Sequence, residues 1–111
     1  MKDGYYYEWI TKKKLADQGL LVFRSAGSFG LFDIVAIDPN NGKVVLIEVK
    51  RRKELEDPID LIKDKLEDYK KIIEQLGKYD YFKFELWYYT KNYRFLRVYD
   101  LKELIKAAEQ I

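Results

Sequence analysis

At 111 residues, 48% of them hydrophobic, the chain can close one compact core, so a single domain spanning residues 1–111 is expected. Charged residues make up 36% while the net charge is only +2, so any nucleic acid must be held by a local basic patch and not by a polycationic surface. The sequence has neither cysteine nor histidine, which excludes disulfides, thiolate nucleophiles, Ser-His-Asp and Cys-His catalysis, and metals held by imidazole or thiolate.

Chemistry is therefore left to carboxylates, lysine, hydroxyls and hard metals. No segment approaches the roughly 20 apolar residues of a membrane-spanning helix, and the amino terminus lacks the apolar stretch of a secretory signal. The expectation is a soluble, cytoplasmic protein with no membrane partner.

In chain order, Tyr5 to about Gln18 suits a helix, with Gly19 placed to end it in the left-handed region. Leu20 to Arg24 reads as a short strand, and Ser25 to Gly30 as a loop. Phe32 to Asp38 and Lys43 to Lys50 are strands joined by the turn Pro39-Asn40-Asn41-Gly42. Both runs carry apolar residues on both faces, which predicts central strands covered on two sides. Asp57-Pro58 opens a second helix, whose stripe Ile59, Ile62, Leu66, Tyr69, Ile73 and Leu76 runs on to Gly77. Tyr81 to Tyr89 and Tyr93 to Tyr99 form a hairpin about Lys91-Asn92, and Asp100 with Glu103 caps a last amphipathic helix. The predicted fold class is α/β, a central mixed sheet flanked by helices in the order αβββαββα.

A hairpin centred on Asn40-Asn41 places Asp33 opposite Glu48. Directly opposed residues share a face, with Cβ atoms about 5 Å apart, so two carboxylates converge and repel. Such a pair suits a hard divalent cation such as Mg²⁺ between its oxygens. Lys50 lies two residues beyond Glu48, and the period of a strand puts its ammonium on the same face. Carboxylate-held metal beside a lysine is a set that can hydrolyse a phosphodiester: the metal neutralises charge on the phosphate, and the lysine orients the nucleophile or stabilises the pentavalent state. Replacing Asp33 or Glu48 by alanine is expected to abolish cleavage and to leave the fold intact or steadier.

Asp33, fourteen intervening residues and then Glu48-Val49-Lys50 resemble the PD-(D/E)XK nuclease superfamily, with Phe32 standing where its name has proline. Archaeal-type Holliday junction resolvases are the closer likeness, carried by Glu8, the phrase Arg24-Ser25-Ala26-Gly27-Ser28, Asp33 to Ala36 and Ile47 to Lys50. The resemblance implies a restriction-endonuclease-like nuclease domain in which Asp33 and Glu48 ligate Mg²⁺, with Mn²⁺ as a substitute. Lys50 is then catalytic, Glu8 reaches the metal or its water, and Ser25 or Ser28 contacts DNA. It further implies a homodimer that resolves four-way junctions or other branched DNA by paired cuts. The alternatives are another endonuclease of the superfamily, in repair, restriction or viral DNA processing, and a non-catalytic DNA-binding module.

Each of these residues also has a plainer explanation. The trio could be a solvated ion-pair cluster, and Glu8 the partner of Lys12 one helical turn on. Arg51, Arg52 and Lys53, with Arg24, are read as phosphate contacts because they adjoin the trio, although such runs are usually solvated strand ends. The loop from Ser25 could be a connector alone. In the aromatic strand, Phe82, Phe84, Leu86 and Tyr88 form an inward face by alternation, leaving Trp87 outside as the dimer candidate.

Overall fold

The structure, a computed structural model, describes residues 3–25, 31–90 and 95–110. Pro39 to Gly42 joins strand β2 (Ile34–Asp38) to β3 (Lys43–Arg52). Asp38 holds this turn: its Oδ1 accepts the backbone N–H groups of Asn40 and Asn41, both at 3.2 Å, and its Oδ2 accepts the Asn41 amide at 2.7 Å. Those bonds, the Asn41 side chain first, hold the Asp38 carboxyl below its ordinary pKa. The register is the expected one, from Ile34 opposite Ile47 to Asp38 opposite Lys43.

The sheet has five strands in sequence order, with β1 (Leu21–Arg24) beside β2, β4 (Phe82–Thr90) beside β3 and β5 (Phe95–Asp100) at the far edge. Strands β3 and β4 are parallel and the other neighbours antiparallel, so the sheet is mixed. A parallel pair needs a long crossover. It is supplied by helix α2 (Pro58–Ile62), a 3₁₀ turn (Lys63–Lys65) and α3 (Leu66–Leu76). Helix α4 (Leu101–Glu109) packs beside α2 and α3, while α1 (Asp3–Asp17) lies against β1, β2 and β3.

The core of this domain is split by the sheet into two clusters, one on each face. Tyr69, Phe84, Leu86, Tyr88, Leu101 and Ile105 fill the side of α2 to α4, and Tyr7, Leu15, Ile34, Ile47, Trp87 and Tyr89 fill the side of α1. Helix α1 is tied down by a buried polar contact: Thr11 Oγ1 donates to the Tyr7 carbonyl at 2.7 Å and lies 2.7 Å from the Tyr89 hydroxyl. The Tyr7 and Tyr89 rings pack with centroids 5.1 Å apart. This contact fixes the helix that carries Glu8.

Three expectations change. The second helix is not continuous, because it tightens into the 3₁₀ turn at Lys63, Asp64 and Lys65. All three are exposed, so the tightening takes no apolar side chain out of the core. Gly77 closes α3 as expected, at φ −66°, and a Cβ there would collide with the Ile73 carbonyl. Asp33 stands just outside the ladder, its N–H donating to the Ile47 carbonyl at 2.9 Å, and β3 runs on to Arg52 because β4 pairs with it that far. Trp87 is only 6% exposed and is no dimer surface: β4 is covered on both sides, and its indole N–H donates to Glu85 Oε1 at 3.0 Å. The turn expected at Lys91-Asn92 lies outside the described residues.

The Asp57 cap holds, and of the pair expected at α4 the Asp100 half does, while the Glu103 side chain faces Lys106 at 3.7 Å. Asp57 accepts the Ile59 N–H at 2.9 Å at the start of α2, and Asp100 accepts the N–H groups of Lys102 and Glu103 at 2.8 and 3.4 Å at the start of α4.

Candidate active site

Where β2 begins, the Asp33 side chain takes over the role of a ladder acceptor. Its Oδ2 accepts the Val49 N–H at 2.7 Å, which anchors the carboxylate against the β3 backbone next to Glu48. Glu48 is 4% exposed and sits on the face packed by α3. Burial first, and repulsion from Asp33 second, push its carboxyl up from 4.5 to about 7, against the pull of the Tyr69 hydroxyl and Lys50. Lys50 Nζ stands 3.6 Å from Glu48 Oε1 on that same face.

Glu8 approaches from α1. Its pKa is raised, by burial first and by Asp33 next, while Arg24 and Lys12 pull it down. Arg24 Nη2 lies 3.9 Å from Glu8 Oε2, and its guanidinium covers the Tyr5 ring at 4.3 Å. Asp33 thus stands between two acidic neighbours, Glu8 and Glu48. Among the described residues, no three carboxylates are grouped closely enough to hold one metal ion.

Ser25 adjoins the centre. Its N–H donates to the Asp33 carbonyl at 2.9 Å, and its buried hydroxyl has no hydrogen-bond partner among the described residues. Ser28 lies outside the described residues, as does most of the loop expected from Ser25 to Gly30. The basic run divides between surroundings. Arg51 sits over the Tyr7 ring, 5.9 Å from its centre, on the α1 side, while Arg52 turns to Glu56 at 3.5 Å and Lys53 is exposed.

Helical spacing assigned Tyr69 to packing alone. Its hydroxyl donates to Glu48 Oε2 at 2.6 Å. A signal was present: Tyr69 is the one hydroxyl carrier in a stripe otherwise made of Ile and Leu, and a buried tyrosine hydroxyl needs a partner.

The donor set is all oxygen, with two mutually repelling carboxylates beside a cation, and it fits a hard divalent ion that keeps its remaining positions for water or phosphate. Comparison with family models finds that residues 2–110 match the archaeal Holliday junction resolvase (Hjc) family. The chain belongs to the archaeal Holliday junction resolvase family. Membership of the resolvase family implies a nuclease that acts on branched DNA in recombination, in a group of enzymes that are generally metal-dependent. Among solved structures, the chain is similar to a Holliday junction resolvase, Hjc of the archaeal hyperthermophile Archaeoglobus fulgidus. That likeness has a TM-score of 0.65 and 24% identity, covering 91% of this chain and 75% of the other, and it shows a shared fold. No curated protein sequence matches the chain. Among the described residues no helix is long and apolar enough to cross a membrane.

Proposed function

We propose that this resolvase is a single nuclease domain that cuts four-way DNA junctions by Mg²⁺-dependent phosphodiester hydrolysis at Asp33, Glu48 and Lys50. The observation that carries the reading is a buried carboxylate, Glu48, set against a second one, Asp33, at a cost that a bound cation would offset. Asp33 and Glu48 would hold the ion, and when bound it supplies Lewis-acid polarisation of the phosphodiester.

The rest falls to the chain's own groups. Lys50 keeps its ammonium 3.6 Å from the carboxylate, where it orients the attacking water and meets the charge that develops on the phosphate. Glu8, at the margin, tunes the charge around Asp33. Arg51 and Lys53 offer donors to the DNA backbone, with Ser25, whose buried hydroxyl has no hydrogen-bond partner among the described residues, beside them. Arg24 and Arg52 contribute less, because Glu8 and Glu56 already partner them.

A two-fold homodimer would present two centres to a two-fold junction, so that opposing strands are cut in pairs. The surface that suits a second copy is the strip Leu21, Phe23 and Ile37 on β1 and β2, where Leu21 and Phe23 are 56% and 54% exposed beside the covered part of the sheet. Phe23→Glu is expected to convert a dimer to a monomer in size-exclusion chromatography with light scattering. A wild-type monomer, or a Phe23→Glu dimer, removes this surface from the account.

The function itself is tested with a labelled four-way junction and a linear duplex of the same sequence, each with Mg²⁺ and with EDTA. Paired nicks in the junction alone, and only with Mg²⁺, are expected. Equal cutting of the linear duplex would assign the chain to another nuclease activity, and binding without cutting at any pH would leave a DNA-binding module.

A further inference from the structure

Tyr69 touches the centre from α3, the element that carries none of the three residues assigned to chemistry. Its ring is 1% exposed and is held edge-on by Phe32, with centroids 5.7 Å apart and planes at 62°. Phe32 is the residue that replaces the proline of the superfamily motif, so this departure supports the tyrosine. The hydroxyl donates to Glu48 Oε2 at 2.6 Å, the length of a charge-assisted O–H···O bond, and lies 3.4 Å from the Leu31 carbonyl. One hydroxyl therefore adjoins both the main chain leading to Asp33 and the side chain of Glu48.

The two oxygens of Glu48 are differently engaged. Oε2 takes the tyrosine, while Oε1 faces Lys50 at 3.6 Å. The terminal torsion of a glutamate is soft, and without a partner the carboxylate would swing through a broad range. The tyrosine removes that freedom and presents Oε1. A carboxylate fixed by one oxygen suits a small octahedral ion such as Mg²⁺, which takes single oxygens and retains waters, better than Ca²⁺, which accepts both oxygens of a carboxylate.

We propose that Tyr69 is a positioning residue that locks Glu48 for one-oxygen binding of a small divalent cation. The inference rests on the reading of Glu48 as a metal ligand. Partners behind metal ligands typically contribute about 10- to 100-fold in ion affinity.

The test is Tyr69→Phe, which keeps the ring and removes the hydroxyl. Ion binding is read without DNA as the rise in melting temperature with Mg²⁺, Mn²⁺ or Ca²⁺, and separately as the ion dependence of junction cleavage. The half-saturating Mg²⁺ concentration is expected to rise about 10-fold or more in both readouts, with cleavage returning toward the wild-type rate at saturating Mg²⁺. The Mg²⁺ preference over Ca²⁺ in the melting shift should narrow. Tyr89→Phe removes another buried tyrosine hydroxyl, the one against Thr11 on the opposite face, and should leave half-saturation unchanged. Equal half-saturation in Tyr69→Phe and wild type, or an equal change in Tyr89→Phe, overturns the role of Tyr69 alone. Wild-type protein with no ion-dependent melting shift and no ion-dependent cleavage overturns the metal reading and this inference with it.

Discussion

Asp33→Asn is expected to reduce junction cleavage by about 10³-fold or more, a loss of roughly 4 kcal/mol of transition-state stabilisation, while junction binding measured in EDTA stays at wild-type strength. The amide keeps an oxygen to accept the Val49 N–H now bonded at 2.7 Å, so the strand junction should survive. What disappears is one of the two negative charges that would hold the ion. Asp33→Ala is a poorer probe than the sequence suggested, because it strands the part-buried Val49 N–H, and an unsatisfied donor costs up to about 1–3 kcal/mol when fully buried. That loss opposes the relief of repulsion from which a steadier fold was expected. Single-turnover cleavage of a labelled junction, alongside a binding titration, checks the result. A near-wild-type rate in Asp33→Asn would remove Asp33 from the chemistry.

Glu48→Gln should change the pH dependence of stability more than any other single substitution. The Glu48 carboxyl titrates near 7 in the fold, raised from 4.5 by burial first and by Asp33 next. The native state therefore binds the proton more tightly than the unfolded chain does. Its stabilising contribution is complete below pH 4.5, falls as pH rises from 4.5 to about 7, and is gone above that. The span corresponds to about 3 kcal/mol. Glutamine has no proton to lose and still accepts from Tyr69. In EDTA, Glu48→Gln should match wild type near pH 4.5 and exceed it by about 2–3 kcal/mol at pH 8, read from urea midpoints at the two pH values. Saturating Mg²⁺ should narrow the gap at pH 8, because an ion offsets the buried charge in wild type alone. Parallel pH profiles for the two proteins would contradict the burial and repulsion assigned to Glu48.

The hairpin that makes this site was legible because three local signals agreed: a strong turn at Pro39 to Gly42, apolar strands on both sides of it, and two acids placed symmetrically about it. Register follows from such agreement, and with it the approach of Asp33 to Glu48. Trp87 was misplaced for an equally physical reason. Alternation separates inside from outside only when one face of a strand is wet, and β4 is a parallel central strand with α1 on one face and α2 to α4 on the other. Tyr69 was hidden because helical spacing reports which side chains point inward and not what a hydroxyl meets there. The break at Lys63 to Lys65 left no trace in the apolar stripe, which continues through it at unbroken spacing.

A divalent cation shared by Asp33 and Glu48 is sought most directly by diffraction from crystals soaked in Mn²⁺. Anomalous scattering should show one strong peak bonded to an oxygen of each carboxylate, through Oε1 on Glu48, and no peak in Asp33→Asn crystals treated in the same way. Mn²⁺ bound elsewhere, or a wild-type centre that stays empty at saturating Mn²⁺, would contradict it.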